Sequence, residues 1–86
     1  MQEKATSLPA EQRALGRAVR ELRARRSLSQ EELARRSRLH RNYVGAMERG
    51  ELNPTLRTLL RLAVGLRLPL SEVIVVYERQ LRDAGR

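Results

Sequence analysis

The stretch SQEELARRSRLHRNYVGAMERG, residues 29–50, constrains the fold more than any other part of the chain. Ser29 is followed three residues later by Glu32, a spacing that is typical of a capping box at the start of a helix. We therefore expect a short helix that starts at Ser29 and runs to about Ser37.

A second short helix follows within the same stretch. Arg38 and Leu39 form the bend between the two helices, and His40 is expected to cap the second one. Glycine suits the position just beyond a helix end, so the second helix is predicted from about Arg41 to Gly50. The sequence thus predicts two short helices joined by a tight bend.

The remainder of the chain predicts three further helices and no strand. Apolar residues recur at helical spacing over residues 10–26 and 55–66, and a fifth helix is predicted after a proline, at about residues 70–82. Residues 1–9 show no periodicity, so we expect a flexible arm there and one domain over residues 10–86. The expected fold is all-α, with five helices.

The composition limits both the core and the chemistry. The chain has no Phe or Trp, so its core must come from Leu, Val, Ala and Met, which favours helix-on-helix packing. It has no Cys and one His, which excludes a thiolate site or a histidine-rich metal site. Paired carboxylates, a nucleophile–base set and a phosphate loop are also missing, so we expect neither an enzyme nor a cofactor. No apolar run approaches the roughly 18 residues that span a bilayer, and no secretion signal is recognisable, so we expect a cytoplasmic protein without membrane contact.

The charge is strongly positive and unevenly distributed. The formal net charge is +8, and residues 13–41 carry ten arginines against three acids, a net +7. Residues 51–86 carry six arginines against four acids, a net +2. This concentration beside the two short helices indicates a polyanionic partner. The alternative is a solvated surface in an arginine-rich proteome.

Several short motifs follow one another between residues 15 and 73. They are Arg23, SQEELA at 29–34, ERG at 48–50, NP at 53–54 and a leucine-rich fourth helix. In this order and spacing they resemble the helix-turn-helix domain of the phage repressor and Cro-type (XRE-like) family. The resemblance implies a five-helix, lambda-repressor-like fold and a sequence-specific, usually dimeric regulator that binds double-stranded DNA. Arg38 and Arg67 stand where such families often carry glycine, and a positive φ would strain an arginine there.

The resemblance also implies which side chains reach the bases. In such proteins the second helix of the motif enters the major groove, and its first residues contact base edges. The expected base contacts here are Arg41, Asn42, Ala46 and Tyr43. The alternative for the polar residues of this set is ordinary exposed surface at a helix start.

Contacts to the DNA backbone are expected around the two helix starts and the bend. The N–H groups at the start of the first short helix can bind an anion, and Gln30 is expected at a phosphate unless it is merely solvated. His40 is either a phosphate contact or a simple cap. The full set of expected backbone contacts is Ser29, Gln30, Arg38, His40, Asn53 and Thr55.

Two further expectations concern structure and assembly. The resemblance implies an ion pair between Arg23 and Glu48, with a structural role only. The fifth helix has more apolar residues than one core face needs, so we expect a homodimer interface there. The residues assigned to it are Val73, Val75, Val76 and Tyr77. The alternative is that these valines close the core of the monomer.

The predicted function is that of a transcriptional regulator, controller-protein or repressor-like, that binds a palindromic operator as a homodimer. The alternative is a protein-interaction module or antitoxin that uses the same helical fold. A partner protein cannot be named from the sequence.

Overall fold

The computed structural model describes residues 8–84, and this part of the chain forms five α-helices and no strand. They are α1 (Ala10–Arg25), α2 (Gln30–Ser37), α3 (Arg41–Glu48), α4 (Leu56–Leu66) and α5 (Leu70–Ala84). The predicted all-α, five-helix fold is confirmed. Most of the arm expected at residues 1–9 lies outside the described residues.

Side-chain caps start three of the helices. The Ser29 hydroxyl accepts the N–H of Glu32 at 3.0 Å, and the Glu32 carboxylate accepts the N–H of Ser29 at 2.8 Å, which completes the predicted capping box. The His40 Nδ1 accepts the N–H of Asn42 at 3.1 Å at the start of α3. Thr55 caps α4 through its hydroxyl. Because each cap joins residues only two or three positions apart, the starts of these three helices could be predicted from the sequence.

Two helices end on an arginine in the left-handed conformation. Arg38, after α2, has φ 57°, and Arg67, after α4, has φ 59°. This conformation costs an L residue roughly 1–2 kcal/mol, because Cβ approaches the following carbonyl oxygen. The turns therefore keep the geometry that glycine would favour and carry a charged side chain in its place.

The core lies between α1 and the other helices. α1 packs against α5 and α3, while α2 packs against α3 and α4. The largest fully buried side chains are Leu33, Met47, Leu62, Leu66, Val19, Val44 and Val73. The core is therefore aliphatic, as the absence of Phe and Trp requires.

The prediction that Val73 and Val76 form a dimer interface is wrong. Their side chains are 0% and 5% exposed, and they belong to the same core cluster as the buried residues of α1. The reason is that α5 packs along α1, which turns this stripe inward. Tyr77 is half-buried against the core, whereas Val75 is 60% exposed.

No helix within residues 8–84 is both long enough and apolar enough to cross a bilayer.

Candidate nucleic-acid interface

The start of α3 presents two polar side chains to solvent. Arg41 and Asn42 are exposed, while Val44 and Met47 on the opposite side of the helix are fully buried. A helix with this spacing is anchored on one side and free on the other. The exposed side is therefore held in a fixed orientation by the core beneath it.

The other two expected base contacts are less exposed. Tyr43 is half-buried and packs against the core, so its ring is only partly available to a ligand. Ala46 is also half-buried, and Gly45 beside it is buried. The side chains of Arg49 and Gln30 lie over Gly45, so Ala46 is the part of this turn of α3 that a ligand can approach.

A polar depression of about 160 Å³ lies beside these residues. It is lined by Gln30, Arg41, Asn42, Gly45 and Arg49. The sequence reasoning did not include Arg49, although residues 41, 45 and 49 share one helix face by their spacing of four. Arg49 is exposed, and its guanidinium pairs with the Glu51 carboxylate at 3.0 Å.

An ion pair lies behind this surface, between α1 and the end of α3. Arg23 Nε lies 2.6 Å from Glu48 Oε2, and Arg23 Nη2 lies 3.1 Å from Glu48 Oε1. The Glu48 side chain is fully buried, whereas Arg23 remains 20% exposed. Arg20 adds a more distant charge at 3.6 Å. The two residues that the family resemblance paired are therefore in direct contact.

The charge state of Glu48 follows from its surroundings. Burial removes water from the carboxyl and raises its pKa, but the hydrogen bonds from Arg23 and Gln30 and the nearby positive charges outweigh this effect. The net result is a Glu48 pKa below its ordinary value. The carboxyl is therefore an anion at neutral pH and can only accept hydrogen bonds.

Gln30 is also bonded to Glu48. Its Nε2 donates to Glu48 Oε1 at 2.9 Å, and the side chain is only partly exposed. The sequence reasoning treated Gln30 as a phosphate contact or a solvated residue. The structure places it between the buried anion and the polar depression beside α3.

The remaining expected backbone contacts are exposed at three places. Ser29 is at the start of α2, His40 and Arg38 flank the bend, and Asn53 and Thr55 precede α4. Arg38 lines a separate groove between α2 and α4, with Arg36, Arg57 and Arg61. The structure thus brings Gln30 together with Arg41 and Asn42, and it brings Arg38 beside α4 arginines.

Comparisons with known proteins agree with this arrangement of helices. A family model described as Helix-turn-helix matches residues 19–73. The chain is 45% identical over 60 residues to the control protein C.SmaI of Serratia marcescens. The aligned region covers 70% of this chain and 71% of C.SmaI.

Two solved structures are also similar. The crystal structure of the restriction-modification controller protein C.AhdI from Aeromonas hydrophila has a TM-score of 0.73 and 43% identity, and covers 76% of this chain and 98% of its own. The clp gene regulator ClgR from Corynebacterium glutamicum has a TM-score of 0.83 and 26% identity, and covers 91% of this chain and 83% of its own. The matched segment, residues 19–73, contains α2, α3 and α4 entirely.

Proposed function

Because the chain belongs to the helix-turn-helix family and is a DNA-binding regulator of transcription, we propose that it acts as a homodimer on a palindromic operator. The relatives named control protein C.SmaI and restriction-modification controller protein C.AhdI support a controller role, exercised in the cytoplasm. The observation that carries the proposal is the exposed pair Arg41 and Asn42 on a helix whose opposite side is anchored in the core.

These two side chains suit base recognition in the major groove. An arginine can donate two hydrogen bonds to the O6 and N7 of guanine, and an asparagine can pair with the N6 and N7 of adenine. Ala46, which is partly exposed and has a short side chain, leaves room for α3 to approach the groove floor. Tyr43 is half-buried, so only part of its side chain is available for a contact.

Phosphate contacts supply most of the binding free energy in this proposal. Ser29, Arg38, His40, Asn53 and Thr55 are the proposed backbone contacts, and the net charge of +8 favours a polyanion. Binding should therefore weaken steeply as salt is added. About six phosphate contacts would give a log–log slope of roughly −5.4, and further contacts would make it steeper.

The dimer surface is better placed on α4 than on the buried part of α5. Leu56, Leu60 and Val64 recur every four residues and are 64%, 47% and 71% exposed. Val75 on α5 is the remaining exposed residue of the interface predicted from the sequence. A two-fold dimer would place two copies of α3 about 34–36 Å apart, which matches one turn of DNA.

Sedimentation tests the dimer directly. Val64→Asp should shift the protein at micromolar concentration from a two-chain to a one-chain species, because the aspartate would be desolvated at the interface. Ser71→Asp, which adds the same charge at an exposed position of α5, is the control and should leave the dimer intact. A wild-type protein that sediments only as a 10 kDa species (9.9 kDa per chain) would contradict the dimer.

Selection of bound DNA from a random pool tests the function as a whole. We expect a palindrome, and Asn42→Ala should reduce discrimination at one position of each half-site by about 1–3 kcal/mol. Ser71→Ala, another exposed polar residue replaced by alanine, should give the wild-type sequence logo. Failure to enrich any sequence from the pool would refute sequence-specific binding.

A protein-interaction module is the second candidate. The observation that favours it is the groove between α2 and α4, in which Leu60 and Val64 are flanked by Arg38, Arg57 and Arg61. An acidic partner protein, such as the toxin of an antitoxin pair, would suit this surface. Capture of such a partner together with DNA binding that lacks both sequence preference and a steep salt slope would favour this candidate.

A further inference from the structure

We propose that Gln30 reads a base edge as a hydrogen-bond acceptor and that the buried Glu48 sets the orientation of its amide. The inference rests on the proposed DNA-binding function and adds a specificity-determining residue outside α3. It also assigns Glu48 a positioning role beyond the ion pair with Arg23.

The orientation of the Gln30 amide follows from its partner. The Gln30 nitrogen lies 2.9 Å from Glu48 Oε1. An ionised carboxylate has no proton to donate, so the amide nitrogen rather than its oxygen must face it. Glu48 cannot turn away easily, because Arg23 holds both of its oxygens, at 2.6 and 3.1 Å.

The Gln30 oxygen consequently lies over α3. A methyl group placed on Gly45 would lie 3.5 Å from Gln30 Oε1, which puts this oxygen directly beside the α3 backbone. Gly45 has no side chain to cover the oxygen, and the neighbouring group is the Arg49 guanidinium, whose Nη1 would lie 3.3 Å from the same methyl group. Gln30, Arg41 and Asn42 line the same depression, so the acceptor lies next to the two proposed base-reading donors.

An acceptor at this position selects a particular chemistry. In the major groove, adenine presents its N6 amino group and cytosine its N4 amino group, whereas a phosphate oxygen offers no proton. The Gln30 oxygen can therefore pair with adenine or cytosine but not with a phosphate. Glu48 occupies one of the two N–H groups of the amide, and the second remains able to donate to a phosphate, so base reading concerns the oxygen alone.

The first experiment compares selected DNA for wild type and Gln30→Ala. Wild type should show one half-site position at which adenine or cytosine is preferred roughly fivefold, the ratio expected of one neutral hydrogen bond. Gln30→Ala should lose that preference and keep the preferences assigned to Arg41 and Asn42. Gln80→Ala, the same change on α5, is the matched control and should keep all of them.

The second experiment changes Glu48→Gln. An amide at position 48 can accept or donate, so the Gln30 amide is free to turn over. The same DNA position should then also admit guanine or thymine, which present acceptors in the major groove. A merely structural role of Glu48 would lower the melting temperature without changing this preference. Such a result, with Glu48→Gln folded at the assay temperature, would overturn the positioning role.

The outcomes separate the inference from the proposed function. If Gln30→Ala weakens binding to all DNA sequences equally and leaves the selected base preferences unchanged, Gln30 is a phosphate contact and the inference is wrong. The proposed function would stand in that case. If wild type enriches no sequence at all, both the function and the inference are overturned.

Discussion

Replacing Gly16 by alanine should loosen the contact between α1 and the end of α3. A methyl group at Gly16 would lie 2.5 Å from the carbonyl oxygen of Glu48 and 2.6 Å from that of Met47. Real methyl groups essentially never approach another atom closer than 3.0 Å, so the two helices must separate by about 0.5 Å. The obstructing atoms belong to the backbone, so no side-chain rotation can relieve the overlap.

The expected free energy is the difference between two terms. Alanine stabilises the interior of a helix by about 1 kcal/mol relative to glycine. Overpacking in a close contact costs typically about 1–3 kcal/mol, and three backbone atoms in contact with the methyl group argue for the upper end. We therefore expect Gly16→Ala to lower the free energy of unfolding by about 2 kcal/mol. In a domain of this size that corresponds to a melting temperature about 8–16 °C lower.

Urea and thermal unfolding at one fixed protein concentration measure this loss, since formation of the proposed dimer would make stability depend on concentration. Gly65→Ala is the matched comparison, because Gly65 is also a buried helical glycine but its methyl group would overlap the Ser37 hydroxyl. When Ser37→Ala removes the hydroxyl, Gly65→Ala should cost less stability than it does in the wild-type background, although the Ser37 backbone nitrogen would still lie 3.1 Å from the methyl group. A Gly16→Ala protein as stable as wild type, or more stable, would refute the packing argument.

Three further changes have expected effects on stability. The pKa of Glu48 is lower in the folded state than its ordinary value, so the ionised carboxylate stabilises the fold above the ordinary carboxyl pKa and this stabilisation is lost as pH falls through the folded value. Between about pH 6 and pH 3, the free energy of unfolding in urea should therefore fall less steeply for Glu48→Gln than for wild type. Ser37→Ala should leave stability unchanged or raise it by up to about 1 kcal/mol in thermal melts, because the buried hydroxyl has no hydrogen-bond partner. Arg67→Gly should raise the free energy of unfolding by about 0.5–1 kcal/mol in urea, because glycine adopts φ 59° without strain; no gain would contradict that reasoning.

The local parts of the candidate site were predictable from the sequence. Ser29 and Glu32 are only three positions apart, so the two hydrogen bonds of their capping box depend on the local helix start and not on distant parts of the chain. The exposure of Arg41 and Asn42 follows from the apolar spacing of Val44 and Met47 on the other side of the same helix. Both features depend on helix geometry alone.

The assignment of apolar faces needed the tertiary structure. The sequence shows apolar stripes on both α4 and α5, and their hydrophobicity does not indicate which stripe a neighbouring helix covers. Packing of α1 against α5 buries Val73 and Val76, while Leu56 and Val64 on α4 remain exposed. Val73 and Val76 were wrongly assigned to an interface because this choice depends on contacts between distant segments.

The sequence by itself determined five helices, their starts and the polar side of α3, because hydrogen bonds and periodicity within a few residues decide these features. Only the tertiary structure decided that Gln30 turns its nitrogen to Glu48, eighteen residues away, and its oxygen to Gly45. That orientation depends on the buried Glu48 carboxylate at the end of α3, which Arg23 of α1 holds in place. Such a contact exists only once helices that are separate in the chain have packed together.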